Sequence, residues 1–84
     1  MSVETIKQNA EILNEGIIKF NSYLIELDSL KKGRENIKDK NTKRIVDEQI
    51  AKLNSKINEI STYIFKIQIS IQKLIDEELS KNAD

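Results

Sequence analysis

Asp76, Glu77 and Glu78 stand together near the C-terminus, and Lys31, Lys32, Arg34, Lys38, Lys40, Lys43 and Arg44 crowd into fourteen residues at the middle of the chain. These two groupings contain the residue types that do chemistry. Neighbouring carboxylates can serve acid–base catalysis or hold a hard cation, and a basic cluster can grip phosphate. Neither group has the company such chemistry needs. The chain has no His and no Cys, which removes the commonest neutral-pH base, the thiolate nucleophile, disulfides and the usual transition-metal ligands. It also lacks a Gly-rich phosphate loop, a Ser-His-Asp set and a two-His metal pattern. The carboxylate run reads as a solubilising end, and the sequence predicts no enzyme, no cofactor, no metal and no small-molecule substrate.

The basic segment carries +5 once Glu35 and Asp39 are counted, and the rest of the chain carries −5, so the whole is neutral. No overall field draws the molecule to nucleic acid or a membrane surface. No aromatic residue interleaves with the seven cations, and a solvated turn is the preferred reading of them. The competing reading makes them an anion contact in a nucleic-acid-binding hairpin. Apolar residues are spread evenly, with no run long enough to span a bilayer and no series resembling a signal peptide. The chain therefore reads as cytoplasmic, or as exported without a cleaved leader. Fifteen isoleucines and eight asparagines, with no Pro or Trp, point to an AT-rich coding sequence of bacterial or phage kind.

The elements that must position these groups follow from apolar spacing. The stretch IFKIQISIQ, residues 64–72, alternates like a strand through Ile67, Ile69 and Ile71 but is also spaced like a helix through Ile64, Ile67 and Ile71. The surroundings decide. Val46, Ile50, Leu53, Ile57, Ile60, Ile64, Ile67, Ile71 and Leu74 advance by alternating steps of four and three, a heptad series far longer than the alternation. Val3, Ile6, Ala10, Leu13, Ile17, Phe20, Leu24 and Leu27 advance in the same way. The two series are out of phase, so the chain breaks between them. Gly33 is a candidate C-cap, Asp39, Asn41 and Thr42 are candidate N-caps of the second helix, and Ser2 is one for the first.

The expected fold is all-α: a single domain over residues 1–84, with one helix over about 3–32, a basic turn over about 33–41 and a second helix over about 42–80. Folded back antiparallel and coiled-coil-like, the two series pair Leu27 with Ile50, Phe20 with Ile57, Leu13 with Ile64 and Val3 with Leu74, every pair of residue numbers adding to 77. Gly16 then lies opposite Ser61, either as a close approach of two small residues or as a tolerated kink. The seam flanks include Asn14, Asn21, Asn54, Ser61 and Gln68, where a solvent-facing pair of helices normally carries Glu and Lys. Ile12, Ile18, Tyr23, Ile25 and Leu30 on one helix and Tyr63, Phe65, Ile69 and Ile75 on the other remain outside the seam. Such leftovers mark interfaces. Ile18, Tyr23, Ile25, Tyr63, Phe65, Ile69 and Ile75 are the expected partner-binding residues, and the hairpin is expected to enter a four-helix bundle, with itself or with another helical protein.

A helical hairpin of this length with a Gly in its turn, Ser2-x-Glu4-x-Ile6 at its start and polar-flanked apolar seams resembles the WXG100 and related small partner proteins of type VII secretion. The likeness covers the whole chain. Lys31-Lys32-Gly33 stands where that family has Trp-x-Gly, and no Tyr-x-x-x-acid signal follows near the C-terminus. The resemblance implies a divergent partner or adaptor forming a homo- or heterodimeric four-helix bundle. The functional expectation is a non-enzymatic interaction module, an adaptor, chaperone or secretion partner. Besides the nucleic-acid-binding hairpin, a phage- or bacteriocin-related inhibitor or immunity protein is the alternative.

Overall fold

The computed structural model describes residues 2–82, in two helices: α1 over Ser2–Glu35 and α2 over Lys40–Asn82. They pack along one another as an antiparallel hairpin, and the described residues contain no strand. Ile64 to Gln72 is thus helical, as the long heptad series requires. The rod measures 68 × 15 × 14 Å, and its radius of gyration is 19.2 Å against about 12 Å for a compact domain of this length.

Both helices run closer to the turn than their spacing predicts, leaving residues 36–39 as the connection. Gly33 is not a C-cap: it lies inside α1, and no glycine has positive φ. The helix ends instead by tightening, with the Asn36 N–H donating to the Gly33 carbonyl at 3.2 Å and the Ile37 N–H to the Arg34 carbonyl at 3.1 Å. Asp39 starts α2. One of its carboxylate oxygens accepts the Thr42 N–H at 2.9 Å and the Thr42 hydroxyl at 2.7 Å, and its carbonyl accepts the Lys43 N–H at 3.0 Å. This satisfies donors a helix start would otherwise leave open, and it selects Asp39 over Asn41 and Thr42. The Ser2 side chain, the expected cap of the first helix, lies outside the described residues.

The α2 half of the seam matches its heptad series: Val46 through Leu74 are each buried or half-buried, with Leu53 and Ile67 the most enclosed. The α1 half differs. Ile6, Leu13, Phe20 and Leu27 face inward, but the positions between them are filled by Asn9, Gly16, Tyr23 and Leu30 rather than Val3, Ala10, Ile17 and Leu24, which are exposed. The register moves with this rotation. Gly16 meets Ile64, not Ser61, and a Cβ at Gly16 would sit 3.3 Å from Ile64 Cγ1. Counting outward from that contact aligns Phe20 with Ile60, Leu27 with Leu53, Leu13 with Ile67 and Ile6 with Leu74, paired numbers adding to 80 instead of 77.

The reason lies in the composition of α1. Two positions of each heptad are apolar throughout, and a third, held by Asn9, Gly16, Tyr23 and Leu30, becomes apolar only in the second half of the helix, which widens the stripe there. Pattern alone cannot say which two of the three face α2. The adopted choice buries part of Tyr23 and Leu30 and puts Gly16, itself buried, against the Ile64 side chain. Asn9, the polar member of the seam, is satisfied locally, its side-chain amide donating to the Thr5 carbonyl at 2.9 Å.

Candidate docking surface

The hairpin has two broad flanks beside its seam, and their chemistry differs. On one, shallow grooves are lined by Glu26, Gln49, Lys52 and Lys56 towards the turn, and by Ile12, Glu15, Lys19, Glu59 and Tyr63 towards the middle. Charges of both signs are interspersed there, as on an ordinary solvated face. At 3.6 residues per turn the opposite flank is formed by Ala10, Asn14, Ile17, Asn21 and Leu24 on α1 and by Ala51, Asn54, Asn58, Ser61, Phe65, Gln68, Gln72 and Ile75 on α2. None of these residues is charged. The uncharged stretch covers about the middle half of the rod; beyond it the same helix positions carry Lys7, Asp28 and Asp47, and at the two ends stand the basic turn and the acidic Asp76, Glu77 and Glu78.

The seven expected partner-binding residues do not gather on one surface. Phe65, exposed at 62%, and half-buried Ile75 lie on the uncharged flank. Ile18, Ile25 and Ile69 are exposed on the backs of their helices, away from the seam. Tyr63 stands on the charged flank, and Tyr23 is half-buried in the seam beside it. Leu30, also expected outside the seam, is half-buried within it. Ile17 and Leu24 take the place of these residues on the uncharged flank, having been expected in the core. The signal that marks this surface in the sequence is the polar, uncharged set Asn14, Asn21, Asn54, Ser61 and Gln68.

The basic cluster is partly neutralised by the fold. Arg34 makes a two-pronged ion pair with Asp47, its Nε on one carboxylate oxygen and its terminal nitrogen 3.2 Å from the other. The hydrogen bond from Arg34 holds the Asp47 carboxyl below the usual aspartate range, and Asp47 raises the Arg34 guanidinium in return. Asp39 is also held low, first by the Thr42 hydroxyl and then by its backbone N–H. Lys32 pairs with Asp28 one turn back at 2.9 Å. Lys43 is half-buried at the start of α2, while Lys31, Lys38, Lys40 and Arg44 project from the turn into solvent.

Among the described residues, no three acidic side chains gather as metal ligands would, and no helix is long and apolar enough to cross a membrane. No protein-family model, curated protein or solved structure matches the chain.

Proposed function

We propose that this chain is a non-enzymatic docking module, a small helical adaptor, chaperone or secretion partner that completes a four-helix bundle with a second helical hairpin. The observation that carries the reading is surface area. The hairpin exposes 6645 Å², whereas a compact monomer of 9.7 kDa exposes about 5,100 Å². The excess, about 1,500 Å², is more than the roughly 800 Å² that a standard interface removes from each partner. The uncharged flank is the part of the rod that loses least by being covered, because no ion has to be desolvated. A partner protein of the type VII secretion kind is the family-level form of this proposal, supported by the hairpin architecture of the described residues.

The test is Phe65→Glu, which places a carboxylate at an exposed site off the seam. The variant is expected to keep its helicity by far-UV circular dichroism and to lose association, whether with itself or with a co-purifying helical protein. Tyr63→Glu, on the charged flank, serves as the control and is expected to associate like the parent. Undiminished association of Phe65→Glu would overturn the assignment of the flank.

A further inference from the structure

We infer that the occupant of the uncharged flank is a second copy of this chain, docked antiparallel across a two-fold axis that passes between Ile17 and Leu24. The inference rests on the docking reading above and adds the partner and its orientation to it.

Charge supports this occupant. Each hairpin is positive at its turn and negative at its open end, with an uncharged face between. Two copies stacked with their turns together would set basic cluster against basic cluster. Stacked with their turns apart, each basic turn lies beside the acidic end of the other copy, so both ends attract. An isologous contact requires a surface complementary to itself under a two-fold rotation. An axis between Ile17 and Leu24 brings Ile17 of one copy against Leu24 of the other. It also carries Phe65 to the level of Asn54 on the second copy, where the neighbouring side chains are small or uncharged. At the ends, Lys40 and Arg44 come to the level of residues 75–79 of the second copy, the turn of α2 that carries Asp76, Glu77 and Glu78.

The size fits as well. The whole face of the rod, 68 by 15 Å, covers about 1,000 Å² per copy, against about 800 Å² per partner in a standard interface; the uncharged stretch, about 36 Å long at about 1.5 Å per residue, supplies about half of that face and the charged ends supply the rest. The arrangement makes every neighbouring pair of helices antiparallel, α1 beside α1 and α2 beside α2 across the axis, which is a favourable bundle topology. It also gives Ile17 and Leu24, apolar positions of α1 left outside the seam, a neighbour to pack on.

The experiment uses the full chain in sedimentation equilibrium, together with disulfide cross-linking, which is unambiguous because the chain has no cysteine of its own. The expected mass is twice the 9.7 kDa of one chain. Asn21→Arg, which sets two guanidinium groups near each other at the axis without touching the seam, is expected to keep its helicity and sediment at the single-chain mass. Lys40→Cys chains mixed with Leu79→Cys chains are expected to cross-link to each other, while Lys40→Cys chains alone stay uncrosslinked. A single-chain mass for the parent at every concentration would overturn the inference, and so would efficient cross-linking of Lys40→Cys to itself. If the parent is monomeric but captures another helical protein that Phe65→Glu fails to capture, only self-pairing falls. If neither kind of association occurs, the docking reading falls with it.

Discussion

Gly16 and Gly33 make a matched pair for testing how closely the helices approach. Both lie inside α1, but a Cβ at Gly16 meets Ile64 Cγ1 at 3.3 Å and Cδ1 at 3.9 Å, whereas a Cβ at Gly33 meets nothing within 4 Å. Replacing each by Leu yields the same intrinsic gain in helix propensity, about 0.5–1 kcal/mol, reduced somewhat at Gly33 by its place in the last turn. At Gly33 that gain is the whole effect, and the variant is expected to be more stable than the parent. At Gly16 the side chain enters space held by Ile64, and over-packing of this kind costs about 1–3 kcal/mol. The two variants should therefore differ by about 1–3 kcal/mol, with Gly16→Leu the weaker. For a domain of this size each kcal/mol moves the melting temperature by about 4–8 °C, well within reach of urea and thermal melts followed by far-UV circular dichroism at one fixed protein concentration. Adding Ile64→Ala to Gly16→Leu should recover part of the loss, and the coupling in the double-mutant cycle would confirm direct contact. If Gly16→Leu is as stabilising as Gly33→Leu, Gly16 does not face α2 and the register described above is wrong.

Other outcomes follow from the same geometry. Leu53→Ala, at a site only 5% exposed, should cost about 2–4 kcal/mol in a denaturant melt, whereas Ile45→Ala at a half-exposed position should cost less than about 1 kcal/mol. Asp39→Ala should speed hydrogen exchange at the amides of Thr42 and Lys43, which lose their acceptor or its support, without affecting amides beyond the first turns of α2. Acid should destabilise the turn. Asp39 and Asp47 are both held below the ordinary 3.8, so their contribution to stability is present above that value and is lost as the pH falls through their lowered folded-state values. The stability gap between the parent and Asp47→Asn, small near neutrality because the pair is exposed, should close below that range in melts taken as a function of pH.

Much of the architecture is legible in the residue spacing. The nine-member series on α2 defines its buried stripe because each heptad offers two apolar positions there and the neighbouring positions are mostly polar, so no rival stripe exists. On α1, Val3, Ala10, Ile17 and Leu24 compete with Asn9, Gly16, Tyr23 and Leu30 for the same role, and counting apolar residues favours the wrong set. A glycine scores poorly in any apolar count, yet at Gly16 its lack of a side chain is what admits Ile64. The docking flank was legible as polarity without charge in Asn14, Asn21, Asn54, Ser61 and Gln68, a signal independent of register. Its apolar members were not, because assigning Ile17 and Leu24 to a face requires the rotation of α1 to be known first. The Arg34–Asp47 pair joins residues thirteen apart across the turn, and neither local spacing nor composition distinguishes it from the other cation and carboxylate combinations nearby.

The four-residue connection, with the Asp39 cap on one side and the Arg34–Asp47 clamp just beyond it, also determines how the rod can assemble. Layers of the seam lie at steadily increasing chain separation from the turn, so closing the first loop is entropically cheap and each later layer adds to a hairpin already begun. Folding should start at the basic tip and close towards the termini, in the manner of a zipper, with the contact between Ile6 and Leu74 among the last to form. Opening should run the other way. The acidic end is then the part of the hairpin that frays first, and in an antiparallel pair each fraying end rests against the firmly closed tip of its neighbour.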